Sequence, residues 1–228
     1  MKVFEYTNKG GREINQDYLT YCEVSEGISL YVVADGMGGY EGGEIAAKVV
    51  GDSIMEFVCS HFQELLPEEL LRQSFSYADS CLMVKRMAMD VAEMGSVVVA
   101  ALVAGTMIHI AWLGDSRAYL LRNSKIQYVT TDHSMINELK AAGTFKETDR
   151  ELYESCVTRC IMGDNASYEA GYTALEGKVG DLLVLCSDGL HKELDVELLP
   201  IDDDSLRKQL DVLAPSFGDN LSIIRISM

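Results

Sequence analysis

Residues 30–43, LYVVADGMGGYEGG, end an apolar run on a carboxylate, Asp35, and follow it closely with glycines. The arrangement recurs. Asp115 ends MIHIAWLGD and Asp188 ends LLVLCSD, while Asp219 immediately precedes NLSIIRIS and Asp17 immediately precedes YLTYCEV. Glycine adjoins four of these five acids, as Gly36, Gly114, Gly189 and Gly218. If the apolar runs are strands of an antiparallel sandwich, their ends and starts can share one edge, and five carboxylates can converge there. Two carboxylates ~4 Å apart repel by about 4 kcal/mol at an effective dielectric near 20, so such a cluster either protonates or recruits cations. The donors on offer are carboxylate and carbonyl oxygens, which suit hard divalent ions such as magnesium or manganese. Gly36 has no side chain, so its carbonyl can turn inward as a further ligand.

Two other readings of residues 30–43 compete. A phosphate-binding G-x-G-x-x-G loop needs glycine at the sixth position from Gly36, where Glu41 stands, and no G-K-S/T occurs anywhere in the chain. Asp35 would also oppose a pyrophosphate with the wrong sign. That reading fails. Asp-Gly is also an ordinary turn dipeptide, so each aspartate taken singly reads as structural. Their recurrence at strand ends is what favours a metal site.

The elements that must position these acids follow from periodicity. KVFEYT, YLTYCEV and ISLYVVAD read as strands, and EIAAKVVGDSIMEFVCSHF as a helix with Ile45, Val49, Phe57 and Val58 on one face. Pro67 opens a second long helix that runs to Met94, with Gly95 just past its end. Its Leu71, Phe75, Ala78 and Leu82 stripe reads as packing surface, and Met87, Met89 and Met94 as core. Four strands follow: VVVAALVAG, TMIHIAWLGDS, RAYLLRN and KIQYVTTD. Their connections, at Gly105, Gly114–Ser116 and Asn123–Ser124, are too short for helical crossovers, so hairpins or a meander are expected. Residues 134–157 are polar and helical in pattern and read as an exposed flap. EAGYTALEG, DLLVLCSDG and LSIIRISM supply the last strands. Several strands are apolar on both faces, and both faces must be covered. The expected class is α+β, a four-layer α-β-β-α sandwich of two antiparallel sheets flanked by helices. No repeat or linker divides the chain, so residues 1–228 are expected to form one domain.

Composition narrows the partners. The 228 residues are 48% hydrophobic with three prolines, which excludes long disorder. Asp and Glu number 36 against 19 Lys and Arg, a formal charge of −17. That balance argues against nucleic acid and anionic membranes, which need a basic face. No apolar run reaches the ~20 residues of a membrane span, and the amino terminus lacks the apolar core of a signal peptide. The six cysteines contain no C-x-x-C pair and read as reduced thiols of a cytoplasmic protein; Cys156 and Cys160 could share a helix face but make no zinc site. None of His61, His109, His133 and His191 is expected to bind metal. His133 is expected to organise its turn with Asp132, and His109 to pack inside the sandwich.

Seven motifs in order then carry a family resemblance: REINQD at 12–17, VADGMGG at 33–39, GDSR at 114–117, TTDHS at 130–134, VTRCIMG at 157–163, CSDGL at 186–190 and DN at 219–220. Together they resemble the metal-dependent serine/threonine protein phosphatases of the type 2C (PPM) family, in particular its compact bacterial members. The resemblance implies hydrolysis of phosphoserine and phosphothreonine by a hydroxide bridging two Mn2+ or Mg2+ ions, in opposition to a bacterial Ser/Thr kinase. It implies that Asp35 bridges both ions, that Asp188 and Asp219 complete one site, and that the Gly36 carbonyl serves the other. Asp115 matches the position that, with Asp188, holds a third, weaker ion, and Asp17 a supporting position behind the ligands. Arg12 matches the arginine that grips the substrate phosphate, where its planar fork binds two oxygens as lysine could not. Phosphoproteins are the implied partners, a cognate kinase among them, and a monomer is expected. The chain departs from the family at Gln16, where many members have glutamate. At Met37, animal members have a histidine credited with protonating the leaving group. At Val97 and Val98, relatives often carry threonines. The flap stretch 144–156 departs most, and substrate preference is expected to reside there.

Overall fold

Ten strands pair, all antiparallel, into two five-stranded sheets in this computed structural model, which describes residues 1–37, 42–166 and 169–228. The first sheet has the order β1 (Lys2–Asn8), β10 (Leu221–Ser227), β9 (Leu182–Cys186), β6 (Arg117–Arg122), β7 (Lys125–Val129). The second runs β2 (Asp17–Ser25), β3 (Ile28–Gly36), β4 (Ser96–Ala104), β5 (Met107–Leu113), β8 (Gly171–Glu176). Gly38, Gly39 and Glu41 lie outside the described residues.

Side chains alternate across a strand, so β4 reads as apolar throughout because each of its faces meets a core. Val99, Ala101 and Val103 face the layer between the sheets, against Leu183, Leu185 and Ile224. Val98, Ala100 and Leu102 face outward, against α1 (Gly43–His61) and α2 (Pro67–Met89). The outer face of the first sheet is covered by α6 (Asp203–Leu213), whose Leu206 and Leu210 pack on Val184 and Ile223. This is the four-layer sandwich expected from the sequence.

Details differ from the sequence reading. β4–β5 and β6–β7 are hairpins, but β5 and β6 do not pair; the Gly114–Ser116 link carries the chain from one sheet to the other. Asp115 therefore sits between the sheets at their common edge. α2 stops at Met89, because Asp90 takes a left-handed φ of 56° and its N–H turns back to the carbonyls of Arg86 and Met87. Met94 is buried and Met89 half-buried, but Met87 is exposed and no part of the core. The buried stripe of α1 is Ala46, Ala47, Val50, Ile54 and Val58; Ile45, Val49 and Phe57 are half-buried at its margins. His109 faces the helical layer rather than the space between the sheets, with its ring Nδ1 2.8 Å from the Tyr172 hydroxyl. Cys156 and Cys160 lie on no helix.

The segment after β7 carries two short helices, α3 (Met135–Ala141) and α4 (Arg150–Tyr153), neither with a buried residue, and is tied at its base by a Ser134–Val157 bridge. A short helix α5 (Asp188–His191) follows β9. No described helix is long and apolar enough to cross a membrane.

Ile54 is fully buried between α1 and the second sheet. Ile54→Ala should lower unfolding free energy by about 2–5 kcal/mol in urea titration, whereas Val84→Ala on the exposed side of α2 should stay within about 0.5 kcal/mol.

Candidate functional site

Arg12, Asp35, Gly36, Asp115, Asp188 and Asp219 all line one cavity of about 620 Å³. They come from the loop after β1, the end of β3, the β5–β6 link, the start of α5 and the residues entering β10. Gln16, Met37, Val97, Ser155, Val157 and Lys192 complete the wall. Asp17 stands behind Asp35, opposite it in the β2–β3 register. The Ser187 hydroxyl donates to Asp17 Oδ2 at 2.7 Å and accepts the Ser222 N–H at 2.9 Å, whereas Asp17 Oδ1 is buried with no hydrogen-bond partner.

Close backbone approaches hold the acids at this edge. The Ser96 hydroxyl donates to the Asp35 carbonyl at 2.9 Å, and Gly36 N–H to the Gln16 carbonyl at 3.0 Å. A Cβ on Gly36 would sit 2.1 Å from the Gly43 carbonyl oxygen, so only glycine lets this strand end meet the first turn of α1. A Cβ on Gly189 would sit 2.0 Å from the Asn220 carbonyl oxygen, so glycine there brings Asp188 against the Asp219 loop. The Asn220 side chain accepts the Gln16 N–H at 2.8 Å and donates to the carbonyls of Lys9 and Ile14 at 2.8 and 2.9 Å, tying the Arg12 loop to Asp219.

The β5–β6 link is fixed by two histidines. His133 does not organise its turn through Asp132, which is taken by a two-pronged pair with Arg117 at 2.7 Å. It stacks on Trp112, accepts the Gly114 N–H on Nδ1 at 3.2 Å, and donates its own backbone N–H to the Gly114 carbonyl at 2.9 Å. Burial, helped by Arg159, pushes its pKa down to about 4, consistent with a neutral ring that can accept. His191 Nε2 donates to the Asp115 carbonyl at 2.9 Å.

The electrostatics are those of a cluster short of positive charge. Burial first, then Asp17, Asp188, Asp115 and Asp219, hold the Asp35 carboxyl well above the usual aspartate value. Burial likewise pushes Asp17 and Asp115 each up to about 6. Only two cations line the described cavity wall. Arg12 meets Asp219 through Nε at 3.0 Å and a terminal nitrogen at 2.8 Å, so the guanidinium expected to face substrate grips a carboxylate here. Lys192 lies 2.6 Å from Asp188 Oδ2 and 3.8 Å from Asp115 Oδ2. Burial would lower its pKa, but Asp188 and Asp115 more than offset this and raise it. Sequence reading missed Lys192; its signal is the four-residue step from Asp188 at the start of a helix.

Among the described residues, no three His, Cys, Asp or Glu side chains are gathered closely enough to hold one ion. Asp219 turns to Arg12 and Asp188 to Lys192 instead. The donor set nevertheless fits hard divalent cations: four carboxylates line the cavity against two cations, Asp17 stands behind them with an orphaned buried oxygen, and burial followed by mutual repulsion raises the proton affinity of Asp17, Asp35 and Asp115.

Asp17, Asp35 and Asp115 bind protons more tightly folded than unfolded, so without metal each favours the folded state at low pH and that contribution is lost as pH climbs above about 4, through about 6 for Asp17 and Asp115. For Asp17 alone the loss is about 1–3 kcal/mol. Acids lowered by pairing, such as Asp181 and Asp203, act in the opposite sense at lower pH, and His109, His133 and His191, held neutral by burial, act in the opposite sense across the same window, so the aspartate contribution is read from a variant rather than from the net curve. In chelator at neutral pH Asp35→Asn should melt above wild type, and its advantage should shrink as pH falls toward about 4, where the unfolded carboxylate also takes a proton. An Asp35→Asn protein that melts at or below wild type at neutral pH would contradict the geometry.

Comparison with known proteins identifies the family. The sequence profile of the Protein phosphatase 2C family matches residues 8–220. The serine/threonine phosphatase stp of Listeria welshimeri is 28% identical over 228 aligned positions, covering 94% of this chain and 90% of its own. The structure of the S. agalactiae serine/threonine phosphatase superposes with a TM-score of 0.82 at 28% identity, covering 98% of both chains. The catalytic domain of the serine/threonine phosphatase PstP in complex with two manganese ions superposes at 0.79 with 25% identity, covering 98% of this chain and 96% of its own. With the profile spanning nearly the whole sequence and the sandwich matching throughout, the chain belongs to the protein phosphatase 2C family.

Proposed function

We propose that this chain is a metal-dependent protein phosphatase that hydrolyses phosphoserine and phosphothreonine in proteins, opposing a Ser/Thr kinase. The observation that carries the reading is the convergence of Asp35, Asp115, Asp188 and Asp219 on one cavity in a chain of this family. Asp35, Asp188, Asp219 and the Gly36 carbonyl would hold two divalent ions, manganese or magnesium. Such ions, when bound, supply a water of lowered pKa and positive charge against the phosphoryl oxygens.

The remaining work falls to the chain. Asp17 and Ser187 buttress Asp35 from behind, and Ser96 fixes its backbone. Arg12, half-exposed at the rim, binds two phosphate oxygens with the nitrogens that now meet Asp219, orienting phosphorus in the cavity. Met37 lines the wall and has no proton to give a leaving alkoxide. We read residues 1–228 as one catalytic domain, with 134–157 as a flap that contributes Ser155 to the wall and sets substrate preference.

The test is phosphate release from a phosphothreonine peptide with manganese, magnesium or chelator. Activity should require the metal and fall ~100-fold or more in Asp219→Asn. Arg12→Ala should mainly raise KM, by roughly tenfold or more. Folded protein with no activity under any ion would reject the reading in favour of a catalytically silent phosphoprotein-binding module.

A further inference from the structure

Besides Arg12, Lys192 is the only positively charged residue in the described cavity wall. Its ammonium lies 2.6 Å from Asp188 Oδ2 and 3.8 Å from Asp115 Oδ2. The chain builds this placement. Lys192 N–H donates to the Asp188 carbonyl at 3.0 Å, closing one helical turn that sets the side chain over Asp188. The preceding residue, His191, donates its ring N–H to the Asp115 carbonyl at 2.9 Å. One turn of chain thus holds Asp115 by its backbone and faces its carboxylate with a cation. An ammonium is a compact charge with three donors, and it competes for the same oxygens as a small metal ion.

The resemblance implies a third, weaker ion at Asp115 and Asp188. In this chain that edge already carries a cation, covalently tethered and so always present. We infer that Lys192 is a resident cation that holds the Asp115–Asp188 edge in place of a third divalent ion, leaving two divalent sites in the cavity. The inference rests on the two-metal reading above. Lys192 engages Oδ2 of Asp188 and leaves Oδ1 without a protein partner among the described residues. An ion seated between Asp115 and Asp188 would have to displace the ammonium or share the same oxygens with it against like-charge repulsion.

The test counts manganese bound per full-length chain after equilibrium dialysis against a fixed excess of the ion, by elemental analysis. Wild type should hold two. Lys192→Met, which keeps the stem and removes the charge, should hold three, and Lys192→Arg should stay at two. Adding Asp115→Asn to Lys192→Met should return the count to two. Three ions in wild type, or only two in Lys192→Met, would overturn the inference. Fewer than two in wild type would instead overturn the two-metal reading, and this inference with it.

Discussion

Repulsion among carboxylates forced to one edge of a sandwich is the constraint on which the rest of this structure depends. Strand ends deliver Asp35 and Asp188, strand starts deliver Asp17 and Asp219, and the link between the sheets delivers Asp115. Nothing in hydrophobic packing requires acids at these places, and burial makes Asp17, Asp35 and Asp115 more costly to ionise. The fold tolerates them because every neighbouring element contributes a restraint. These include the Ser187 hydroxyl on Asp17, Arg12 on Asp219, Lys192 on Asp188, and the histidines that clamp the Gly114–Asp115 backbone. Asp35, at the centre, is buried and feels four other acids, and both hold its carboxyl well above the usual aspartate value.

The two cations meet this constraint differently. Arg12 is on a loop pinned by Asn220 and exposed enough to exchange Asp219 for a substrate oxyanion. Lys192 is held within a turn whose first residue is the acid it pairs with. One cation is suited to moving between partners and the other to staying in place.

The sandwich, its antiparallel pairing and the carboxylate edge were all legible in the sequence. Apolar runs on both faces of β3, β4 and β9 demand two covered faces, and an acid at the end of such a run is conspicuous. What was not legible depends on three-dimensional neighbours. Whether Gly114–Ser116 closes a hairpin or crosses between sheets depends on which strand β6 finds, and both are short turns in sequence. The early stop of α2 at Asp90 turns on one left-handed residue that no periodicity marks. Which partner His133 takes is decided by the stacking surface of Trp112 and by Arg117 claiming Asp132. Lys192 was hidden for a related reason: a lysine near an aspartate in sequence is ordinary, and only the cavity gives it meaning.

The central claim is that this edge is incomplete without divalent cations, and the most direct measurement is the melting temperature of the protein in chelator and with excess manganese at neutral pH. Ions that bind the folded edge and not the unfolded chain stabilise by about 2.7 kcal/mol at a hundredfold excess over Kd, so Tm should rise by several degrees. The rise should shrink sharply in Asp35→Asn. An unchanged Tm in wild type would mean that the carboxylates are satisfied by their own cations and protons, and the account of a metal centre would fail.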